Sequence, residues 1–304
     1  MRNFRGRIFI GFLLLIVLFA LNQPAEGDGE KIEIDPPELV CYRCRLKDRP
    51  AVLWEGRRLT EQIASAPDRY AIRYLEEGVF GEEKRRERRS VETEFDLSGG
   101  CLKILRSRST ARDGKGRVVN SLSVEFDYPD REVRTRQVIG PDARAETDDF
   151  DLKTPMITAR EIWLFLRGFP YPETEGHAAD LEFEILTAEP ASYSLRLRHE
   201  GNEDVVTPAG TFPCHRLRMV PDLGFLSWVG EIFAPDIFLW FTEEPPHHWV
   251  RYSGPESGPG TPEVVVEMVE ASRGSPLEVT LNLNATSAPP VPIPLFYPSP
   301  PSSP

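Results

Sequence analysis

Apolar and polar residues alternate along several segments of this chain. In residues 91–97 the odd positions are Val, Thr, Phe and Leu, whereas Glu92, Glu94 and Asp96 occupy the even positions. The same period of two recurs in four later segments: 122–128, 181–185, 193–197 and 277–283. A period of two with one polar face is typical of antiparallel strands that face water on one side. The pattern therefore predicts a mainly β protein.

Two turn signals support antiparallel pairing. Asp113-Gly114 is a favoured dipeptide for a tight hairpin turn. In the segment 207–212 (Thr-Pro-Ala-Gly-Thr-Phe), Pro208 fixes φ and Gly210 tolerates a positive φ, so we expect the chain to reverse there between two strands. The second half of the protein then continues through a further predicted strand, Ile237 to Thr242.

Two segments have helical features. Thr154 is a suitable N-cap, Pro155 suits the first helical position, and Gly168 follows Arg167 as a stop signal, so we expect a helix over 155–167. Its apolar residues cover most of its surface, which predicts burial. A shorter amphipathic helix is predicted around Leu59 and Ile63, which are four residues apart and precede Pro67.

The segment 207–242 resembles a family of bacterial exported proteins described only as a domain of unknown function. The similarity rests on Thr207 to Phe212, on Cys214 and the alternating strand after it, on Trp240-Phe241-Thr242, and on Leu166-Arg167-Gly168. It spans about residues 65 to 272. Such proteins are distantly similar to the LolA/LolB lipoprotein carriers. The resemblance implies a curved antiparallel sheet, or open half-barrel, wrapped around one or two helices, and it implies no catalytic residues.

The N-terminus has the order of a secretory signal peptide. Arg2, Arg5 and Arg7 precede an apolar run of fourteen residues from Ile8 to Leu21, and small and polar residues follow. We therefore expect an exported, periplasmic or otherwise extracytoplasmic protein, or an anchored one if the segment is not cleaved. The sequence divides into a signal peptide (1–27), a linker containing Cys-x-x-Cys (28–44), a β domain (45–284) and a proline-rich tail (285–304).

The net charge of −12 is unlike that of a general nucleic-acid-binding protein. In an oxidising compartment the four cysteines are disulfide candidates: Cys41, Cys44, Cys101 and Cys214. A local bond between Cys41 and Cys44 would leave Cys101 and Cys214 as the second pair. Inert thiols, a metal site and a redox pair remain open as alternatives.

Aromatic residues supply the candidate ligand site. The stretch 225–235 is too rich in aromatics for an ordinary loop, which suggests either a hydrophobic lip or a loop folded over the core. If a hydrophobic ligand binds, five side chains are expected to line its site: Trp163, Phe165, Trp228, Phe233 and Trp240.

We predict no metal ligands and no cofactor. His247 and His248 are adjacent, so in a strand they point to opposite faces and are poorly placed to share one ion. His215 lies on the same strand face as Leu217 and is expected to be a buried histidine with satisfied hydrogen bonds. The carboxylates in 146–151 lack the glycine and terminal glutamate of a calcium loop, so we expect a solvated turn there.

The function predicted from the sequence is a non-enzymatic envelope protein that binds a lipid or other hydrophobic molecule on the concave face of its sheet. One alternative is a structural or protein-interaction module in the envelope that uses the sheet edge or the proline-rich tail. A hydrolase or metal enzyme is a further alternative, although no local catalytic motif is present. The sequence indicates no nucleic-acid partner and leaves the oligomeric state open.

Overall fold

The computed structural model describes eight ranges of residues: 31–81, 84–140, 144–152, 155–172, 179–187, 191–221, 236–257 and 260–273. Within them lies one sheet whose strands are β1 (Glu38–Leu46), β2 (Val52–Gln62), β3 (Arg69–Phe80), β4 (Arg85–Asp96), β5 (Lys103–Asp113), β6 (Val118–Asp127), β7 (Glu132–Ile139), β8 (Glu146–Asp151), β9 (Met156–Thr158), β10 (Asp180–Leu186), β11 (Ser192–Thr207), β12 (Gly210–Pro221), β13 (Ile237–Thr242), β14 (Trp249–Pro255) and β15 (Glu263–Arg273). The single short α-helix of these ranges is α1 (Ile162–Phe165), and 3-10 turns cover Ser98–Gly100 and Leu166–Gly168. The mainly β fold class is confirmed.

The sheet has the spatial order β8-β7-β6-β5-β4-β3-β2-β1-β15-β14-β13-β12-β11-β10-β9. Neighbouring strands are antiparallel except for β9 and β10, which are parallel. Only five peptide steps separate Asp151, at the end of one edge strand, from Met156, at the start of the other. That length of chain spans at most roughly 18 Å. The sheet must therefore curl until its two edges approach each other.

The predicted strands in 91–97, 122–128, 181–185 and 193–197 correspond to β4, β6, β10 and β11, and the segment 277–283 lies outside the described residues. The turn at Asp113-Gly114 joins β5 to β6. Thr207 pairs with Gly210 in the β11–β12 hairpin, where Gly210 has a φ of 138° and the Thr207 hydroxyl accepts a hydrogen bond from the Ala209 amide. The 207–212 segment thus has a structural role.

The predicted helix around Leu59 is wrong, and the predicted helix over 155–167 is wrong in part. Leu59 lies in β2, whose inward positions include Arg58 and Thr60, so polar residues on the inner face hide the period of two. In the predicted helix over 155–167, residues 156–158 instead form β9, because they pair with β10. The α-helix is therefore limited to α1, and the 3-10 turn Leu166–Gly168 continues it.

Two further segments differ from the prediction. Residues 38–44, assigned to a linker, belong to β1, which pairs with β2 and β15 in the middle of the sheet. The carboxylates of 146–151 lie on the edge strand β8 and not in a turn. A row of charged side chains on an edge strand opposes pairing with another chain, because the carboxylates would have to lose water.

The main core fills the space between the curved sheet and the segment 162–169. It contains Trp163, Leu164, Leu166 and Phe169 from that segment, together with buried residues from both halves of the sheet. The sheet residues are Ile72, Phe95, Val124, Val133, Phe183, Leu197, Leu217, Leu239 and Phe241. The segment 162–169 is consequently enclosed by the concave face, as the sequence resemblance implies.

Candidate functional site

Trp163 lies at the centre of the concave face and has little freedom to move. Its side chain is 3% exposed, and its indole N–H donates a hydrogen bond to the Tyr74 hydroxyl on β3. The guanidinium carbon of Arg58 lies 3.3 Å from the Trp163 ring centroid on one side. A cation over an indole ring is a favourable electrostatic contact when both are desolvated. The contacts of Trp163 are therefore those of a structural anchor.

Around this anchor is a buried group of charges. Glu38 on β1 accepts hydrogen bonds from Arg58 and from Arg167, with distances of 3.2 Å and 2.6 Å to its Oε1 atom. His248 Nδ1 lies 3.2 Å from Arg167 Nη2. Burial opposes ionisation of Glu38, but the Arg167 charge and hydrogen bond, with the Arg58 charge, lower its pKa to about 2. Glu38 is therefore ionised and holds both arginines against the middle of the sheet.

Beside this packed centre, the inner face of β4, β5 and β6 borders a partly open cavity of about 350 Å³. The residues 158–160 and 186–187 form its opposite wall, which places it next to the segment that leads into α1. Pockets that bind small molecules usually begin at about 300 Å³. The cavity is therefore large enough for a small ligand.

The wall of this cavity combines three kinds of side chain. The apolar part includes Val91, Leu122, Val124 and Leu186, all of them buried. Hydroxyl groups come from Ser90, Ser107, Ser109, Thr110, Thr158, Thr187 and Ser257, and the charged part consists of Arg85, Glu87, Arg89 and Arg160. The lining thus contains three arginines and one glutamate.

Two of these arginines are held in place by carboxylates. Arg160 Nη1 lies 3.0 Å from both oxygens of Glu76, and Arg89 Nε lies 2.9 Å from Glu87 Oε2. The guanidinium carbon of Arg89 also lies 3.8 Å from the ring centroid of Phe80. Such contacts fix the direction of a guanidinium group, and each carboxylate offsets part of the charge of the arginine that it binds.

Glu161 lies directly behind the cavity wall and is fully buried. Its carboxyl oxygens accept hydrogen bonds from Thr93, at 2.5 Å, and from Thr158, which itself lines the cavity. Burial raises the pKa of Glu161 to about 7, although the hydrogen bond from Thr93 and the charge of Arg160 act in the opposite direction. Its protonation state is therefore balanced near neutral pH.

Of the five predicted aromatic site residues, the three that the structure describes belong to two different clusters. Trp163 is in the main core, and Phe165 packs partly buried against it, with its ring centroid 5.2 Å from that of Phe183. Trp240 belongs to a second cluster with Val205 and Cys214, and its indole N–H donates to Glu203. Trp228 and Phe233, with the whole stretch 225–235, lie outside the described residues. A shared role in ligand binding stays a prediction.

The disulfide prediction for the cysteines is not supported, since all four thiols are free. Cys44 and Cys214 are buried, Cys41 is half-buried and Cys101 is exposed. Cys41 and Cys44 are three residues apart on the extended strand β1, roughly 10 Å along the strand, which is too far for a local bond. Burial raises the pKa of Cys41, Cys44 and Cys214, so these thiols are poor nucleophiles.

His247 and His248 have separate surroundings. His247 is buried, and its Nδ1 lies 2.8 Å from the Thr242 carbonyl oxygen, whereas His248 contacts Arg167. Among the described residues, no group of three or more His, Cys, Asp or Glu side chains is placed to hold a metal ion. Within the same ranges, no helix has the length and apolarity needed to cross a membrane.

Sequence reasoning missed Glu161 and the cavity. A carboxylate between Arg160 and the apolar segment 162–166 carries no local motif. A usable signal was present in β4 and β5, where Thr93, Ser107 and Ser109 occupy inward positions of otherwise regular strands. Hydroxyl side chains on an inner face are a sign that this face is not packed only as an apolar core.

Comparison with solved structures gives a fold relationship. The chain is similar to a β-barrel-like protein of the domain of unknown function DUF1849 from Brucella abortus, with a TM-score of 0.50, 12% identity, and coverage of 79% of this chain and 98% of that one. Two further similarities, each with a TM-score of 0.30, are to a suspected exported protein with a YmcC-like fold from Bacteroides fragilis (10% identity; 81% of this chain and 100% of that one) and a suspected lipoprotein from Parabacteroides distasonis (8% identity; 81% and 100%).

At these identities the likeness shows the fold alone. No family model and no curated protein matches the chain. The class defined by fold and site is thus a curved β-sheet protein with a β-barrel-like architecture and a cavity of mixed polarity on its inner face.

Proposed function

We propose that the chain is a non-enzymatic cell-envelope protein that binds a small amphiphilic molecule with an anionic head group in the cavity behind β4, β5 and β6. The observation that carries this proposal is the composition of the cavity wall, in which buried aliphatic side chains are combined with three arginines. An aliphatic tail fits the first group because its burial removes apolar surface from water. A carboxylate or phosphate fits the second.

The envelope location rests on the N-terminal sequence, where three arginines precede the apolar run from Ile8 to Leu21. The proposal keeps the lipid-like ligand predicted from the sequence but changes the expected position. The side chain of Trp163, a predicted lining residue, is already in contact with Arg58 and Tyr74. The proposed ligand instead occupies the cavity lined by residues 158–160, which precede Trp163 in the chain.

Binding of decanoate to the delipidated full chain tests the proposal, with decanol as a probe of similar tail length and no charge. We expect decanoate to bind about tenfold more tightly, a difference of roughly 1.4 kcal/mol that one charge-assisted hydrogen bond supplies. Native mass spectrometry of the protein purified from cell envelopes should also show a bound acidic lipid fragment. Equal affinities for the two probes would contradict recognition of the anionic head group by the arginines. Absence of saturable binding of either probe would refute the proposal.

A pair of variants locates the head group. Arg85 lines the cavity, whereas Arg86 occupies the next position of β4, on the outer face, and forms an ion pair with Glu77. We expect Arg85→Gln to weaken decanoate binding severalfold and Arg86→Gln to leave it unchanged. Identical effects of both substitutions would contradict binding inside the sheet.

A further inference from the structure

Three polar atoms converge where β11 and β12 pair, away from the cavity described above. His199 Nε2 lies 3.2 Å from His215 Nδ1 and 3.0 Å from Asn202 Oδ1, and His215 Nδ1 lies 2.9 Å from the same Asn202 oxygen. Each of these atoms is therefore within hydrogen-bond distance of both others. We refer to His199, Asn202 and His215 as the triangle.

A β-bulge builds this arrangement. The pairing of β11 with β12 shifts register between His199 and Gly201, so that His199 pairs with Leu217 and Asn202 pairs directly with His215. Residues three apart in a regular strand point to opposite faces, but the extra residue of the bulge returns Asn202 to the face of His199. Gly201, with a φ of 119°, adopts a backbone conformation that other residues rarely adopt.

Hydrogen bonds alone cannot satisfy the triangle. A nitrogen of a neutral imidazole is either a donor or an acceptor, and the amide oxygen of Asn is only an acceptor. If both imidazole nitrogens donate to Asn202, two N–H groups face each other; if one of them accepts, its lone pair faces the lone pair of the oxygen. Turning the Asn202 amide around exchanges the roles of its two ends and leaves the same conflict. At least one of the three contacts is always between like groups.

A cation resolves the conflict, because it accepts all three lone pairs at once. The usual metal–imidazole distance is about 2.1 Å. For an ion at this distance from all three atoms, the ligand–metal–ligand angles would be roughly 90–100°. That is the geometry of three neighbouring corners of an octahedron. The remaining corners would be taken by water, since Asn202 is exposed and His199 is half-buried.

The surroundings hold the His215 ring in a fixed orientation. The His215 ring stacks on Tyr171, with centroids 4.3 Å apart, and it hydrogen-bonds to the backbone at Glu243. Contacts of this kind orient imidazoles that bind metals.

We propose that His199, Asn202 and His215 form a binding site for a divalent late first-row transition metal ion, such as Ni²⁺ or Zn²⁺. Two nitrogens and one oxygen are donors that these ions accept, whereas Mg²⁺ and Ca²⁺ prefer oxygen alone. The site is independent of the proposed ligand cavity. The sequence did not predict it, because His199 and His215 are sixteen positions apart and a bulge brings Asn202 between them.

Calorimetric titration of the untagged full chain with Ni²⁺ and with Zn²⁺ tests the proposal. We expect one saturable site for either ion and none for Mg²⁺. His199→Ala should weaken binding at least a hundredfold, and His248→Ala, which removes a histidine outside the triangle, should leave it unchanged. Absence of saturable binding by the wild-type chain, or unchanged binding by His199→Ala, would overturn the assignment.

A substitution that is expected to strengthen metal binding complements His199→Ala, because misfolding can lower the affinity but cannot raise it. Asn202→Asp replaces a neutral oxygen donor by a charged one at an exposed position, so it should tighten Ni²⁺ binding about tenfold or more. The metal should raise the melting temperature of this variant more than that of the wild type, because binding to the folded state alone adds stability. A weaker or unchanged affinity in Asn202→Asp would contradict coordination by residue 202.

Discussion

Arg58 lies against the face of Trp163, with its guanidinium carbon 3.3 Å from the ring centroid. Arg58 is on β2 and Trp163 is in α1, so this contact joins the middle of the sheet to the helix that the sheet encloses. Two nitrogens of the guanidinium group, Nε and Nη1, have no hydrogen-bond acceptor among the described residues. The aromatic faces of Trp163 and Tyr42 supply the negative surface that these nitrogens otherwise lack.

Glu38→Gln should destabilise the protein strongly, because it leaves Arg58 and Arg167 buried without a counter-charge. Removing one member of a buried ion pair commonly costs about 3–5 kcal/mol. The free energy of unfolding, measured with urea, checks this value. Glu55→Gln is the matched control, since Glu55 pairs with Arg43 at the surface, where a pair contributes at most about 1 kcal/mol. A similar loss in both variants would show that Glu38 does not hold the centre of the sheet.

Glu161→Gln should change how stability depends on pH. The folded-state pKa of about 7 lies above the ordinary value of 4.5, so the folded protein binds more protons than the unfolded chain between these values. This group's contribution is fully present below pH 4.5 and is lost as the pH rises through 7. Relative to the wild type, Glu161→Gln should therefore become more stable from pH 5 to pH 8, by up to roughly 3 kcal/mol. Denaturant unfolding at several pH values measures the difference, and parallel pH profiles would contradict the buried carboxyl.

The thiols should react in the order of their exposure. Cys101 is exposed and should react with a maleimide in the native protein, whereas the buried Cys44 and Cys214 should react only after unfolding. Mass spectrometry of the protein labelled with and without denaturant, without reductant, counts the reactive thiols. Four labels are expected in the unfolded chain. A chain that stays two or four labels short until reductant is added would restore one or both of the predicted disulfides.

Much of the sheet could be predicted from the sequence, because its outer face is polar and its inner face is mostly apolar. Residues 91–97 and 122–128 show this alternation clearly and form parts of β4 and β6. β2 could not be predicted in the same way, since its inward positions include Gly56 and the buried Arg58. An arginine becomes an inner-face residue only when Glu38 and Trp163 arrive from other parts of the chain.

The candidate sites depend still more on distant contacts. Glu161 meets Thr93, which is 68 positions away, and the cavity is lined by strands and loops from residue 85 to residue 257. The triangle requires a bulge, for which Gly201 is the single local sign. Periodicity describes one strand at a time, so it gives no information on which inward residues of different strands meet.

A tryptophan placed in the cavity gives the most direct test of the central claim, that a ligand binds on the inner face of β4, β5 and β6. Ser109 lines this cavity, whereas Ser123 lies on β6 between the inward residues Leu122 and Val124 and therefore faces outward. Decanoate binding should be measured for Ser109→Trp and Ser123→Trp, with unfolding curves to confirm that both variants fold. We predict at least a tenfold loss of affinity for Ser109→Trp and wild-type affinity for Ser123→Trp. Wild-type affinity in a folded Ser109→Trp protein would contradict the claim.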